Sequence, residues 1–134
     1  IINTKYLLVT NCDTIINTNY KDLINFHIEN KNLITIVAAK KNFIIPYGKC
    51  EINSKGNFLR ILEKPNQKIF INTGMYILST EVLKKIKVNQ KTDMTNIISS
   101  ISNKRVGIYP IYQSQYKDIG EWNEYKKTIN SLNF

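Results

Sequence analysis

Two aspartates stand where an α/β sheet binds ligands. Asp13 follows the apolar run Tyr6 to Val9, and Asp118 follows the strand-like run Val106 to Tyr112. Side chains just beyond the carboxyl ends of strands line the ligand cleft of open α/β sheets. Because Mg²⁺ takes one or two carboxylates plus substrate phosphates, the two aspartates could share one ion. Each could also be an ordinary turn or N-cap residue.

A glutamate and a lysine are adjacent at the end of a predicted hairpin strand. Glu63 and Lys64 precede Pro65, which ends the strand because proline cannot donate the next ladder hydrogen bond. A glutamate that accepts sugar hydroxyls and a lysine that reaches a phosphate would both form charge-assisted hydrogen bonds. The pattern fits two solvated residues at a sheet edge equally well.

The glycine, histidine and cysteine residues further limit which ligand contacts and catalytic arrangements the sequence allows. Gly48 and Gly74 lie beside strand ends, where the missing Cβ lets a ligand approach the backbone, although a turn explains each as well. The single histidine, His27, lies on the apolar stripe of a predicted helix and indicates a hydrogen-bonded core residue. One histidine leaves no Ser-His-Asp or Cys-His arrangement. Cys12 and Cys50 are far apart without a CxxC pair, so no disulfide framework or zinc site is indicated.

The elements that position these residues predict an α/β fold. The run Tyr6 to Val9 is typical of a strand buried on both faces. An amphipathic helix follows from Asn19 to about Asn30, with Thr18 or Asn19 as its N-cap, and Leu33 to Ala39 is a second buried strand. This order has the length of one βαβ crossover. The later strands are a hairpin of Lys49 to Ile52 with Phe58 to Leu62, and single strands at Met75 to Leu78 and Val106 to Tyr112. Two further helices are expected, one capped by Thr80 and one carrying Met94, Ile97, Ile98 and Ile101. A closing helix carries Trp122, Tyr125 and Ile129.

Composition favours one soluble, cytoplasmic domain over residues 1–134. Apolar residues make up 43% and charged residues 22%, which excludes collagen-like and wholly disordered classes. No apolar run is long enough to span a membrane. The net charge of +9 suits an anionic partner, but the lysines are scattered in runs no longer than two. A nucleic-acid-binding surface is therefore not favoured.

Five segments, taken in order, resemble the sugar-1-phosphate nucleotidyltransferase family, whose members join a nucleoside triphosphate to a sugar 1-phosphate and release pyrophosphate. These segments are Val9 to Asp13, Ile45 to Gly48, Glu63 to Pro65, Asn72 to Tyr76 and Asp118 to Gly120. The resemblance implies a Rossmann-like mixed sheet of the nucleotide-diphospho-sugar transferase (GT-A-like) type. It implies Mg²⁺ as the cofactor and nucleotide-sugar synthesis, with surface polysaccharide precursors as the expected product class. A homo-oligomer is left open.

The resemblance also implies roles residue by residue. Catalysis would rest on Asp13, Lys64 and Asp118, with Asp13 and Asp118 holding the metal. The sugar phosphate would contact Tyr47, Gly48, Glu63, Lys64, Asn72, Thr73 and Gly74, and the nucleotide would contact Asn11, Cys12 and Asp13. Cys12 stands where the family commonly has glycine.

One family feature is missing from the 134 residues, namely the glycine-rich loop that cradles the triphosphate. We therefore expect this chain to be the C-terminal part of a catalytic domain that is incomplete at its N-terminus and inactive by itself. The alternative is a non-catalytic remnant or regulatory domain that keeps only the sugar-phosphate site.

Overall fold

The computed structural model describes residues 3–86 and 90–120, together with Trp122, Tyr125, Lys126 and Ile129. The strands are β1 (Tyr6–Thr10), β2 (Thr14–Ile16), β3 (Ile34–Ile44), β4 (Lys49–Ile52), β5 (Phe58–Leu62), β6 (Asn66–Ser79), β7 (Val106–Tyr112) and β8 (Tyr116–Asp118). The α-helices are α1 (Tyr20–Glu29) and α2 (Met94–Ser99), and short 3₁₀ turns cover Thr80–Lys85, Asn103–Arg105 and Gln113–Gln115. No helix in these ranges is long and apolar enough to cross a membrane.

The main sheet has the strand order β1-β6-β3-β7. Strand β6 runs antiparallel to both of its neighbours, and β3 runs parallel to β7. Strands β1, β3 and β7 therefore point the same way, so their carboxyl ends lie at one edge of the sheet. The predicted β1-α1-β3 order is confirmed, with β6 inserted between the two parallel strands.

The expectation that β1 is buried on both faces is wrong. Strand β1 occupies the edge of the sheet, and the side chain of Leu8 is 50% exposed. An apolar run shows that a strand is hydrophobic, but it does not show whether the strand lies in the middle or at the edge of the sheet. The position of β1 was set by pairing with the distant strand β6.

Helices cover both faces of the sheet and complete two cores. One core lies on the α1 side and includes Leu23, Val37 and Met75. The other lies on the opposite face and includes Ile34, Tyr76, Leu78, Val82, Ile97 and Ile101. Because side chains alternate along a strand, neighbours such as Met75 and Tyr76 contribute to different cores.

Helix boundaries follow local capping chemistry closely at α1 and less closely elsewhere. The Asn19 side chain accepts hydrogen bonds from the backbone N–H groups of Lys21 and Asp22, so Asn19 is the N-cap of α1. The expected Thr80 cap is wrong by one residue, since Ser79 precedes the 3₁₀ turn and Thr80 begins it. Trp122, Tyr125 and Ile129 are helical, as expected, and exposed, and the rest of the expected closing helix lies outside the described residues.

Strands β3 and β6 continue as a pair well beyond the main sheet. Val37 pairs with Met75 and Ala38 pairs with Asn72, so Thr73 and Gly74 form a bulge in β6. From this bulge the pairing runs to Ile44 and Asn66. Strand β7 pairs with β3 only as far as Lys40, so β3 and β6 continue alone for about 13 Å at roughly 3.3 Å per residue. The predicted β4-β5 hairpin is confirmed and lies at the far end of this extension.

Candidate active site

The two candidate aspartates are brought together by a pair of short strands. Strand β2 follows β1, strand β8 follows β7, and the two pair antiparallel with Thr14 opposite Asp118. The backbone N–H of Ile119 donates to the carbonyl of Asp13 over 2.8 Å. This pairing closes the carboxyl edge of the sheet and places Asp13 beside the end of β8.

Gly120 leaves a gap between the two carboxylates. A Cβ on Gly120 would lie 3.0 Å from Asp13 Oδ2 and 3.2 Å from Asp118 Oδ1. Both distances are shorter than an ordinary van der Waals contact, so a side chain here would crowd both acids. One oxygen of each aspartate thus faces the space that glycine keeps open.

Tyr116 and Gly120 hold the Asp118 carboxylate from two sides. The backbone N–H of Gly120 donates to Oδ1 over 2.9 Å, and the Tyr116 hydroxyl donates to Oδ2 over 3.4 Å. Burial raises the pKa of Tyr116, and the negative charges of Asp118 and Asp13 raise it further. The phenol therefore stays protonated and acts as a donor.

The bulge in β6 places Asn11 beside Gly74. Gly74 has φ +78°, and a Cβ there would lie 2.5 Å from Asn11 Nδ2. The backbone N–H of Asn11 donates to the Gly74 carbonyl over 3.0 Å. Glycine is needed here both for the left-handed backbone and for the close packing of the asparagine.

Asn72 and Thr73, the other two candidate residues of this segment, differ in whether a substrate can reach their side chains. The Thr73 side chain is buried, and its hydroxyl donates to the Val37 carbonyl over 2.7 Å. Asn72 is exposed, and its side chain contacts the Tyr76 hydroxyl and the Gly74 backbone N–H. A substrate can reach Asn72, whereas the Thr73 hydroxyl is committed to the backbone. Their roles in sugar binding stay predictions.

The second group of candidate residues lies at the base of the hairpin. A Cβ on Gly48 would lie 3.1 Å from Glu63 Oε2, so this glycine is packed beside the glutamate carboxylate. Tyr47 is 74% exposed, and Lys64 has the left-handed φ of +41°, which is uncommon for a residue with a side chain. The backbone N–H of Ile45 donates to the Pro65 carbonyl over 3.1 Å and closes the base of the hairpin.

The structure thus forms two clusters from the residues that the sequence suggested. The carboxylate cluster contains Asn11, Cys12, Asp13, Gly74 and Asp118 at the edge of the main sheet. The hairpin cluster contains Tyr47, Gly48, Glu63 and Lys64 at the end of the β3-β6 extension. Each cluster includes or adjoins one exposed free cysteine, Cys12 in the first and Cys50 on β4 near the second.

Sequence reasoning gave no role to Tyr116 or to the backbone of Gly120. A signal was available, because Tyr116, Asp118 and Gly120 are spaced by two, the period at which residues share one face of a strand. That signal depends on recognising β8, which has only three residues.

The donors of the carboxylate cluster suit Mg²⁺. In the described part of the chain no three His, Cys, Asp or Glu residues converge, and the carboxylates that border the gap at Gly120 are those of Asp13 and Asp118. Magnesium commonly binds one or two carboxylates and completes its shell with waters and substrate phosphates. The paired oxygens and the open space at Gly120 fit that mode.

A mixed sheet covered on both faces, with carboxylates at its carboxyl edge, defines an α/β protein of the nucleotide-diphospho-sugar transferase fold. The fold is shared with solved structures of HddC from Yersinia pseudotuberculosis. One structure matches with a TM-score of 0.70 and 20% identity over 98% of this chain and 57% of that chain. A complex of HddC with GMP-PN matches with a TM-score of 0.66 and 21% identity.

The family profile described as nucleotidyl transferase matches residues 1–133. The chain belongs to the sugar-1-phosphate nucleotidyltransferase family. The bifunctional protein GlmU of Streptococcus gordonii is 33% identical over 107 aligned residues, which cover 68% of this chain and 23% of that protein. The chain therefore spans about a quarter of that curated relative and somewhat more than half of HddC.

Proposed function

We propose that this chain forms part of an Mg²⁺-dependent enzyme that joins a nucleoside triphosphate to a sugar 1-phosphate and releases pyrophosphate. The observation that carries the proposal is the meeting of Asp13 and Asp118 around the gap at Gly120, within a chain of this family. The proposal includes a cytoplasmic location and a product used for surface polysaccharide precursors.

In the proposed reaction, an oxygen of the sugar phosphate attacks the α-phosphorus of the triphosphate. One P–O bond forms there, and the bond between the α-phosphorus and the pyrophosphate oxygen breaks. Positioning and electrostatics supply most of the catalysis in such phosphoryl transfers. Magnesium, when bound, would neutralise charge on the phosphates.

The chain's own residues then have separate tasks. Asp13 and Asp118 hold the metal, and Tyr116 with the Gly120 N–H keeps the Asp118 carboxylate oriented. Lys64 pairs with the sugar phosphate, and Glu63 accepts hydrogen bonds from sugar hydroxyls. The hairpin cluster therefore binds the attacking sugar phosphate, and the carboxylate cluster binds the triphosphate through the metal.

The test is pyrophosphate release by the full-length protein with Mg²⁺, across a panel of nucleoside triphosphates and sugar 1-phosphates. We expect release with a restricted set of pairs and a loss of at least about 100-fold in Asp118→Asn, as for a group that stabilises transition-state charge. Asp93→Asn is the matched control, because Asp93 is exposed and its side chain caps no helix.

Silence across the whole panel by a folded protein would contradict the proposal. If sugar 1-phosphates still bind under those conditions, the chain belongs to a non-catalytic sugar-phosphate-binding or regulatory domain. Equal activity of Asp118→Asn and Asp93→Asn would show that Asp118 does not hold the metal.

A further inference from the structure

A cavity of about 250 Å³ lies at the amino edge of the parallel strands, opposite the carboxylate cluster. It is bordered by residues just before β1, β3 and β7 and just after β6. The residues that matter here are Lys5, Lys31, Asn32, Ser79, Glu81 and Arg105. None of them belongs to the proposed active site.

The rim of this cavity is strongly cationic. Lys5, Lys31 and Arg105 border the cavity together with one acid, Glu81, which leaves two net positive charges. The Lys5 ammonium lies 5.4 Å from the centre of the Tyr6 ring. Across the described ranges, the ion pairs are those of Glu51 with Lys49 and Arg60, so neither Lys5 nor Lys31 is neutralised by an acid.

The carbonyl groups at the C-terminus of α1 do not occupy the ammonium groups of these lysines. The last carbonyl groups of the helix accept hydrogen bonds from the backbone N–H groups of Asn30, Lys31 and Asn32. Arg105 Nε donates to the Lys31 carbonyl over 2.9 Å. The negative end of the helix is thereby satisfied mainly by backbone groups, and both lysine ammoniums stay available to a ligand.

The cavity has a polar, preorganised floor. Asn32 and Ser79 are each 7% exposed, and the Ser79 hydroxyl donates to the Asn32 carbonyl over 3.1 Å. Lys31 has φ +51°, and its carbonyl is fixed by Arg105, so the backbone that carries this ammonium is held in place. A cavity of this size is smaller than the roughly 300–1,000 Å³ of drug-sized ligand sites, so it suits a small ligand.

We propose that this cavity binds the phosphate dianion, either free or as the ester of a small molecule, through Lys5, Lys31 and Arg105. A phosphate monoester carries about −1.5 to −2 charge at pH 7, which matches the net charge of the rim. Arginine and lysine together are a common donor set for phosphate. The inference does not depend on the proposed enzyme activity.

The test follows backbone amide NMR shifts of the full-length protein during titration with inorganic phosphate and, separately, glycerol 3-phosphate. Chloride keeps the ionic strength constant. We expect saturable shifts at Lys31, Asn32, Ser79 and Thr80, and affinity lowered about fivefold or more in Lys31→Gln, the loss typical of one charge-assisted contact. Lys55→Gln is the control, because Lys55 lies in the exposed β4-β5 loop.

The outcomes separate the possibilities. Tighter binding of glycerol 3-phosphate would identify an ester as the ligand, and tighter binding of inorganic phosphate would identify the free ion. Shifts confined to Asn11, Gly74 and Gly120 would assign phosphate binding to the carboxylate cluster and overturn the inference. Equal weakening by Lys31→Gln and Lys55→Gln, or no saturable shift, would overturn it as well.

Discussion

His27 shows how one side chain joins three elements of the core. It is fully buried, with Nδ1 2.8 Å from Thr35 Oγ1 and Nε2 3.0 Å from Ser79 Oγ. The Ser79 hydroxyl hydrogen is directed to the Asn32 carbonyl, so Ser79 Oγ accepts from Nε2–H. The hydrogen-bond network therefore assigns a neutral imidazole whose Nδ1 accepts from Thr35. The predicted structural role of His27 is confirmed.

The first prediction concerns the pH dependence of stability. Burial lowers the pKa of His27 below 6.5, so the unfolded chain binds a proton that the native chain does not. The contribution of His27 is complete above pH 6.5 and falls as the pH drops from there towards the native pKa. Urea unfolding at pH 7.5 and 5.5 should show a larger loss in the natural protein than in His27→Gln. Equal losses in the two proteins would refute the neutral assignment.

The second prediction concerns the Tyr116 hydroxyl. Tyr116→Phe removes one of the two donors to Asp118 among the described residues, so metal binding should weaken about 3- to 10-fold, as for one hydrogen bond. Direct Mn²⁺ binding, followed by electron paramagnetic resonance, measures this without turnover. Tyr109→Phe is the control, since its ring packs on Phe26, away from the aspartates. Unchanged Mn²⁺ affinity in Tyr116→Phe would leave the phenol only a packing role.

At the scale of elements, the bulge in β6 offers a third prediction. Gly74 and Gly56 both have positive φ, but a Cβ would crowd Asn11 only at Gly74 and would meet nothing within 4 Å at Gly56. Gly56→Ala should cost about 1 kcal/mol of unfolding free energy, and Gly74→Ala about 2–4 kcal/mol.

Chemical denaturation of both variants measures the difference. Adding Asn11→Ala should recover part of the loss in Gly74→Ala and none in Gly56→Ala. Equal costs at the two glycines would mean that the contact with Asn11 contributes nothing.

Several elements could be predicted from the sequence because their signals are local. The apolar stripe and the Asn19 cap defined α1, and the turn-rich segment 53–57 defined the hairpin. The distal half of β3 was missed because Lys40 to Ile44 lacks the continuous apolar character of its buried half. Strands β2 and β8 have three residues each, and only their pairing with each other makes them strands.

The candidate site was predictable to a similar extent. Asp13 and Asp118 were found from their places after strands, and the structure brings them together at Gly120. The hydrogen bond from Tyr116 to Asp118 depends on strand β8, so it could not be predicted before that strand was recognised. The placement of the hairpin cluster at the end of the β3-β6 pair also depends on the unpredicted length of that pair.

At the scale of the whole molecule, the hairpin should be separable from the sheet. Ile45 and Pro65 are joined by a backbone hydrogen bond from the Ile45 N–H, so replacing residues 46–64 with Asn-Gly can close the chain with a type I′ turn. The design also needs Pro65→Thr, because the closing bond of that turn requires an N–H that proline lacks. The shortened protein should keep its sheet and its Mn²⁺ affinity but lose binding of sugar 1-phosphates. Circular dichroism, Mn²⁺ binding and calorimetric titration measure the three properties. Retained sugar 1-phosphate binding would contradict the role of the hairpin cluster.

The two exposed cysteines give the molecule a built-in pair of chemical reporters. Cys12 precedes Asp13, while Cys50 lies on the hairpin opposite Ile61. Their alkylation rates can be read separately by mass spectrometry, so occupancy of one region can be followed with the other as an internal reference. A triphosphate with its metal should shield Cys12 first, whereas a sugar phosphate alone should alter the rate at Cys50.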